Sequence, residues 1–236
     1  MPRSLPPRPS LEYVRKEAKA LLAAHQSGDL SVCDVLRHHH RFQGASDAAI
    51  LAAGVSLQEV QHALAVAYGF KNWKELRTRL APVRIRPMKA SDDKQVSSLV
   101  SACWRLIAEP DGLTEEQLSN MLKERCRPEH IAAIRERFDC WVAGKDRRVA
   151  GYVARCGYSI EELFVRPSYH RQGVGTALFE HTEHEVREAG YGKLAVLTTG
   201  YGMPFYEAVG MQVVGLRRVT FGPLEGRELT ALEKVL

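Results

Sequence analysis

The chain has no run of about 18 apolar residues, the length a helix needs to cross a bilayer, and its Pro- and Arg-rich start has no apolar stretch of the signal-peptide kind. A cytoplasmic address is expected, with no membrane among the partners. The five cysteines (Cys33, Cys103, Cys126, Cys140 and Cys156) are odd in number and include no Cys-x-x-Cys, which argues against both a disulfide framework and a zinc knuckle. They read as reduced thiols, mostly in the core. No block of like charge stands out either. Of the net +5, residues 1–82 hold 11 Lys and Arg against 7 Asp and Glu, and residues 83–236 hold 22 against 21. The basic excess of the first part is not interleaved with aromatics, so nucleic acid is not an expected partner. His38, His39 and His40 are consecutive, so on a helix they point in three directions, and with His25 and His62 elsewhere they make no metal site; no metal is expected.

At 236 residues, 45% hydrophobic and 26% charged, the chain is long enough for one large or two small globular domains. Residues 1–9, with four prolines and two arginines, read as an unstructured tail. From Ser10 to about residue 81 the apolar spacing is helical. Leu11, Val14, Ala18, Leu21 and Leu22 form one stripe, and Val32, Val35 and Leu36 form a second on a helix reaching about Arg41. Ser56 with Glu59 is a capping box ahead of a third, and Asn72 with Glu75 starts a fourth. Such short helices must bury their stripes against one another, which predicts a small all-α domain.

Ala81-Pro82 marks a boundary, and Val83 to Pro87 alternates as a strand. Beyond it, Val96 to Ile107 carries a helical stripe, and a helix capped at Thr114-Glu115-Glu116-Gln117 pauses at Arg127-Pro128. Residues 140–155 read as a hairpin. The stretch Ile160 to Phe179 then reads as a strand, a basic turn (Arg166 to Gln172) and a helix that opens at Gly173-Val174-Gly175 and stops at Gly190. The first amides of a helix lack intrahelical partners and carry the positive end of its dipole, so this junction suits an anion; His170 and Arg171 add donors beside it. A Walker loop is excluded, because no Gly-Lys-Ser/Thr is present. A dinucleotide fingerprint fails too, with Leu178 at the third glycine and no acidic residue closing the next strand.

The stretch His170-Arg171-Gln172-Gly173-Val174-Gly175, after a strand, resembles the Gln/Arg-x-x-Gly-x-Gly/Ala loop of the Gcn5-related N-acetyltransferases, and Phe205-Tyr206-Glu207-Ala208-Val209-Gly210-Met211 resembles that superfamily's Phe-Tyr-x-x-x-Gly-Phe element. The likeness runs from about Val83 to the C-terminus. His170 and Met211 depart from the usual residues, and the Asn often found before Phe-Tyr is missing. The resemblance implies an α/β (α+β) fold for residues 83–236: a mixed, mainly antiparallel sheet flanked by helices, in the order β-α-α-β-β-β-α-β-α-β-β. It also implies acetyl-coenzyme A as co-substrate, with the pantetheine arm along Leu163, Phe164 and Val165. The pyrophosphate would lie on His170, Arg171, Gln172, Gly173, Val174, Gly175 and Thr176.

Tyr206 matches the usual proton donor, and either Glu161 or Glu162 could relay the amine proton. The expected activity is acetyl transfer to a primary amine of a small molecule by direct attack in a ternary complex. The alternatives are a protein N-terminal or lysine acetyltransferase, and a non-catalytic acyl-coenzyme A sensing or protein-interaction module. Residues 10–81, with Glu12-x-x-Arg15-Lys16-x-Ala18-Lys19-x-Leu21-Leu22 and Ala65-x-x-Tyr68-Gly69-Phe70-x-x-Trp73, resemble a helical leader of bacterial proteins, which names no activity; because the stretch from Val83 already holds every element of a complete transferase, a homodimer contact or a protein partner is expected of the leader.

Overall fold

A computed structural model describes residues 3–6 and 9–236 and divides the chain into two compact units, Met1–Pro82 and Val83–Leu236. Positions 1, 2, 7 and 8 of the proline-rich start lie outside the described residues. Arg3, expected in an unattached tail, has partners: its N–H donates to Ala67 O at 3.0 Å and its guanidinium meets Glu17 at 2.8 Å.

In the first unit, α1 (Leu11–Gln26) starts where Ser10 accepts from the Tyr13 N–H. There follow α2 (Cys33–Leu36), α3 (Asp47–Ala52), α4 (Leu57–Ala67) and α5 (Trp73–Leu80). The Ser56–Glu59 capping box opens α4 and Asn72 caps α5. The single helix expected to reach Arg41 is instead broken into α2 between two 3₁₀ turns, Leu30–Val32 and His40–Phe42. Two local hydrogen bonds compete with helix continuation: Asp29 Oδ1 accepts from the Ser31 N–H, and the ring of His39, an extended residue, accepts from the Arg41 N–H. Val32, Leu36, Ile50, Val60 and Leu64 make the core of this unit, and His25 reaches the Ile50 carbonyl at 2.9 Å.

The second unit runs β1 (Arg84–Pro87), α6 (Asp93–Ile107), α7 (Glu115–Glu124), α8 (Pro128–Arg137), β2 (Asp139–Lys145), β3 (Arg148–Cys156), β4 (Ser159–Val165), α9 (Val174–Glu188), β5 (Lys193–Thr198), α10 (Met203–Ala208), β6 (Gln212–Arg218) and β7 (Glu228–Val235). One more helix separates β1 from β2 than expected. At Arg127-Pro128 a new helix begins, with Pro128 at its first position where the missing N–H costs nothing.

The seven strands form one sheet in the order β1-β2-β3-β4-β5-β7-β6, antiparallel except for β4 with β5. Its alternation buries both faces: Val142, Tyr152 and Ala154 pack toward α6 to α8, while Trp141, Ala143 and Val153 pack with Val174, Leu178 and Val186 of α9.

Candidate active site

The parallel pair β4–β5 is joined only at Ser159↔Ala195 and Ile160↔Val196. Beyond Ile160 the two strands diverge, so the rest of β4 has a neighbour on one edge alone. The Arg166 N–H donates to Ala150 O at 2.8 Å. In an antiparallel pair the bonded positions recur at every second residue, which gives the backbone groups of Glu162 and Phe164 to β3 and turns those of Leu163 and Val165 toward the gap. The Val165 carbonyl is already engaged there. The His170 ring donates to it at 2.7 Å and the Cys103 thiol at 3.2 Å. The sequence suggested that His170 faces the cofactor; here its Nε2 braces the end of β4 against the turn. The role of Cys103 had no signal beyond a place on a helical stripe.

The turn leads straight into α9. Arg171 (φ 57°) and Gly173 (φ 77°) are both left-handed, and the Gln172 side chain donates to Ser168 O at 2.8 Å. Gly173 is the N-cap and has no side chain to accept from the helix, while the first intrahelical bond comes from the Ala177 N–H. The amides of Val174, Gly175 and Thr176 are thus left for an outside acceptor. A Cβ on Gly173 would meet nothing within 4 Å, so this position is glycine for its backbone angle. At Gly175 a Cβ would stand 3.1 Å from Cε2 of Phe205 and 3.5 Å from a Val165 methyl, so this glycine serves the packing of α9 on α10.

The diverging strands open into a cavity of about 670 Å³. Its walls include Glu161, Glu162, Leu163 and Phe164 of β4, Thr198, Thr199 and Tyr206, and, from the helical side, Trp104, Arg125, His130 and Phe138.

Glu161 and Glu162 fall on unlike surroundings because of a bulge: Ala154 faces Glu162 and Arg155 faces Ile160, leaving Glu161 without an opposite number. Glu161 is exposed, whereas Glu162 Oε2 is buried with no hydrogen-bond donor. Burial pushes the Glu162 carboxyl up to about 7, against the opposing pull of Tyr152 and Arg125. Tyr152 is near enough to favour the charged carboxylate, but its hydroxyl makes no well-aligned bond to it. Tyr206 is buried, and burial holds its phenol in the protonated form. His130 Nε2 is buried without a partner, and desolvation together with Arg125 holds its ring toward neutral. Neither Arg125 nor His130 was marked by sequence; they reach the cavity only because α7 and α8 fold over it.

Comparison with known proteins bears on this geometry. Residues 109–222 match the family model of the acetyltransferase (GNAT) domain. A 79-residue stretch is 34% identical to an uncharacterized N-acetyltransferase, YafP, of Escherichia coli K12; it covers 34% of this chain and 49% of that protein, so the chain spans about half the length of this relative. Among solved structures, a Gcn5-related N-acetyltransferase from Rhodopseudomonas palustris superposes with a TM-score of 0.60 at 21% identity, over 65% of this chain and 95% of that one. The PaiA N-acetyltransferase of Thermoplasma acidophilum, solved in complex with coenzyme A, gives 0.53 at 16% identity, over 66% and 99%. Residues 109–222 thus match the acetyltransferase (GNAT) domain, and the C-terminal unit that contains them has the fold of the Gcn5-related N-acetyltransferases.

Proposed function

We propose that the chain is an acetyl-coenzyme A dependent N-acetyltransferase that acts on an amine of a small molecule by direct attack in a ternary complex. The observation that carries this reading is the divergence of β4 from β5 running directly into the uncapped start of α9. One feature offers backbone groups to an extended amide-bearing arm, and the other offers amides and a positive dipole to the pyrophosphate at the end of that arm. In this reading Leu163, Phe164 and Val165 line the pantetheine, while Arg171, Gln172, Gly173, Val174, Gly175 and Thr176 surround the phosphates. His170 contributes by fixing the turn.

The amine lone pair attacks the thioester carbon, and a backbone amide of the free β4 edge stabilises the oxyanion. The C–S bond then breaks. Glu162 takes the proton released from nitrogen, directly or through water, and Tyr206 gives its proton to the departing sulfur. A carboxyl titrating at about 7 suits a base at neutral pH, and a phenol kept protonated by burial suits the acid. Glu161, in the open, is the weaker candidate for the base.

The test is calorimetric titration with acetyl-coenzyme A, followed by measurement of free thiol release across a panel of amines. Micromolar binding with turnover is expected. Absence of binding at millimolar concentration would remove the reading, and binding without turnover on any amine would leave an acyl-coenzyme A sensor.

A further inference from the structure

The cavity that would receive the acceptor is more cationic than the domain around it. The C-terminal unit carries 22 Lys and Arg against 21 Asp and Glu, yet four arginines line this one cavity (Arg125, Arg137, Arg217 and Arg218) against two carboxylates, Glu161 and Glu162. Among the described residues none of the four has an ion-pair partner, whereas Arg86, Arg135 and Arg155 of the same unit are paired with Asp92, Asp93 and Asp139. Arg125 is the most secluded of the four: it is half-buried at the end of α7, where its N–H donates to Met121 O, and its guanidinium makes no hydrogen bond among the described residues. Its Nη2 would lie 3.6 Å from a Cβ at Gly222, which sets the guanidinium beside the loop between β6 and β7, on the cavity's rim. The guanidinium is half-buried with none of its donors bonded within the described residues, and a ligand carboxylate would meet it with two parallel charge-assisted bonds. Between these charges the wall is apolar: Trp104, Ile107, Ile134 and Leu224.

We infer that the acceptor is a small amine with a carboxylate on an apolar body, of the kind an apolar amino acid presents, and that Arg125 holds the carboxylate while the amine turns toward Glu162. The assignment rests on the acetyltransferase reading for its chemistry. A polyamine would place a second ammonium among four guanidinium groups, and a neutral amine would leave Arg125 unused. The same arginines could instead serve a phosphate of the cofactor, which is the rival the experiment must separate.

The probes are three product pairs, the N-acetyl derivatives of L-phenylalanine, L-leucine and L-methionine and their carboxamides, titrated by ligand-observed NMR into the full-length protein with and without coenzyme A. At least one acid should bind about tenfold or more tighter than its amide. Arg125→Gln should abolish that preference, Arg125→Lys should keep part of it, and neither should move the Kd for acetyl-coenzyme A.

Amides binding as well as acids in every pair, or no probe binding while acetyl-coenzyme A does, would overturn the assignment. So would an Arg125→Gln variant that loses acetyl-coenzyme A affinity, since the arginine would then serve the cofactor. Failure of acetyl-coenzyme A itself to bind sinks the enzyme reading instead, and the binding of the acids without coenzyme A reports on the cavity separately.

Discussion

Gly175, in the first turn of α9, lies so close to the ring of Phe205 that a Cβ there would stand 3.1 Å from its edge. This contact ties the uncapped start of one helix, where the cofactor phosphates are proposed to sit, to the short helix that carries Tyr206. Gly175→Val should therefore act through packing, costing about 1–3 kcal/mol of stability and lowering turnover as Phe205 and Tyr206 shift. Adding Phe205→Ala should recover part of the loss at Gly175, so the double variant should be less unstable than the sum of the singles. Gly173→Val has no such neighbour and should not be rescued by Phe205→Ala. Its cost comes from φ 77°, and it should weaken acetyl-coenzyme A binding because the loop can no longer hold its turn. Thermal melts and calorimetry on the three single and two double variants decide the matter; strict additivity of Gly175→Val with Phe205→Ala would remove the packing account.

Glu162 predicts a pH dependence of two kinds. If it is the base, kcat/KM should rise with pH through about 7, and Glu162→Gln should flatten that limb. Stability should move the other way. The folded carboxyl holds its proton to about 7, while the ordinary value is 4.5, so between these the folded state binds a proton that the unfolded chain has released. Stability is lost as pH rises across this window, with the full loss present above about 7. Glu162→Gln, neutral throughout, should be the more stable protein at pH 8 by on the order of 2 kcal/mol and should show no such advantage near pH 4. Denaturant melts at the two pH values check the sign; an equal difference at both would show that Glu162 is ionised when folded.

Tyr206→Phe removes the proposed acid and little else. The hydroxyl has no hydrogen-bond partner among the described residues, so its loss orphans no neighbour, and the fold should change by less than about 0.5 kcal/mol. Turnover should fall roughly tenfold to a thousandfold with acetyl-coenzyme A affinity unchanged. A variant with wild-type turnover and a proven chemical rate limit would return Tyr206 to a purely packing role.

Local chemistry explains which of these features could be read from sequence. The capping boxes at Ser56–Glu59 and Thr114–Gln117 are closed within four residues, so their patterns are visible without the fold. The strand-turn-helix at 160–179 is equally local, and so is the uncapped start of α9. Glu161 and Glu162 could not be told apart because the bulge that separates them is set by β3, a partner strand. The reason for Gly175 was hidden because its neighbour, Phe205, is 30 residues away, and a glycine in a phosphate loop suggests a phosphate first. Arg125 and His130 acquire meaning only from the folding of α7 and α8 over the sheet, a tertiary event with no sequence period. The broken second helix was lost to two short-range bonds, at Asp29 and His39, that outcompete a weak apolar stripe.

The last prediction concerns residues 1–82. The C-terminal unit contains the diverging strands, the uncapped start of α9, the cavity and two apolar clusters of its own, while the helices have their own core around Leu36, Val60 and Leu64. A protein starting at residue 81 should therefore fold cooperatively and bind acetyl-coenzyme A with the affinity of the full chain. What it does to the acceptor separates two roles for the helices. If they serve a protein partner or a dimer contact, acceptor KM should be unchanged and only the sedimentation behaviour of the full chain should differ. If they contribute to acceptor capture, their excess of 11 basic over 7 acidic residues would draw an anionic substrate. Truncation should then raise KM by about tenfold at low salt and by less at high salt, where the attraction is screened. Failure of the shortened protein to fold would contradict both roles and show that the helices complete the core of the transferase domain.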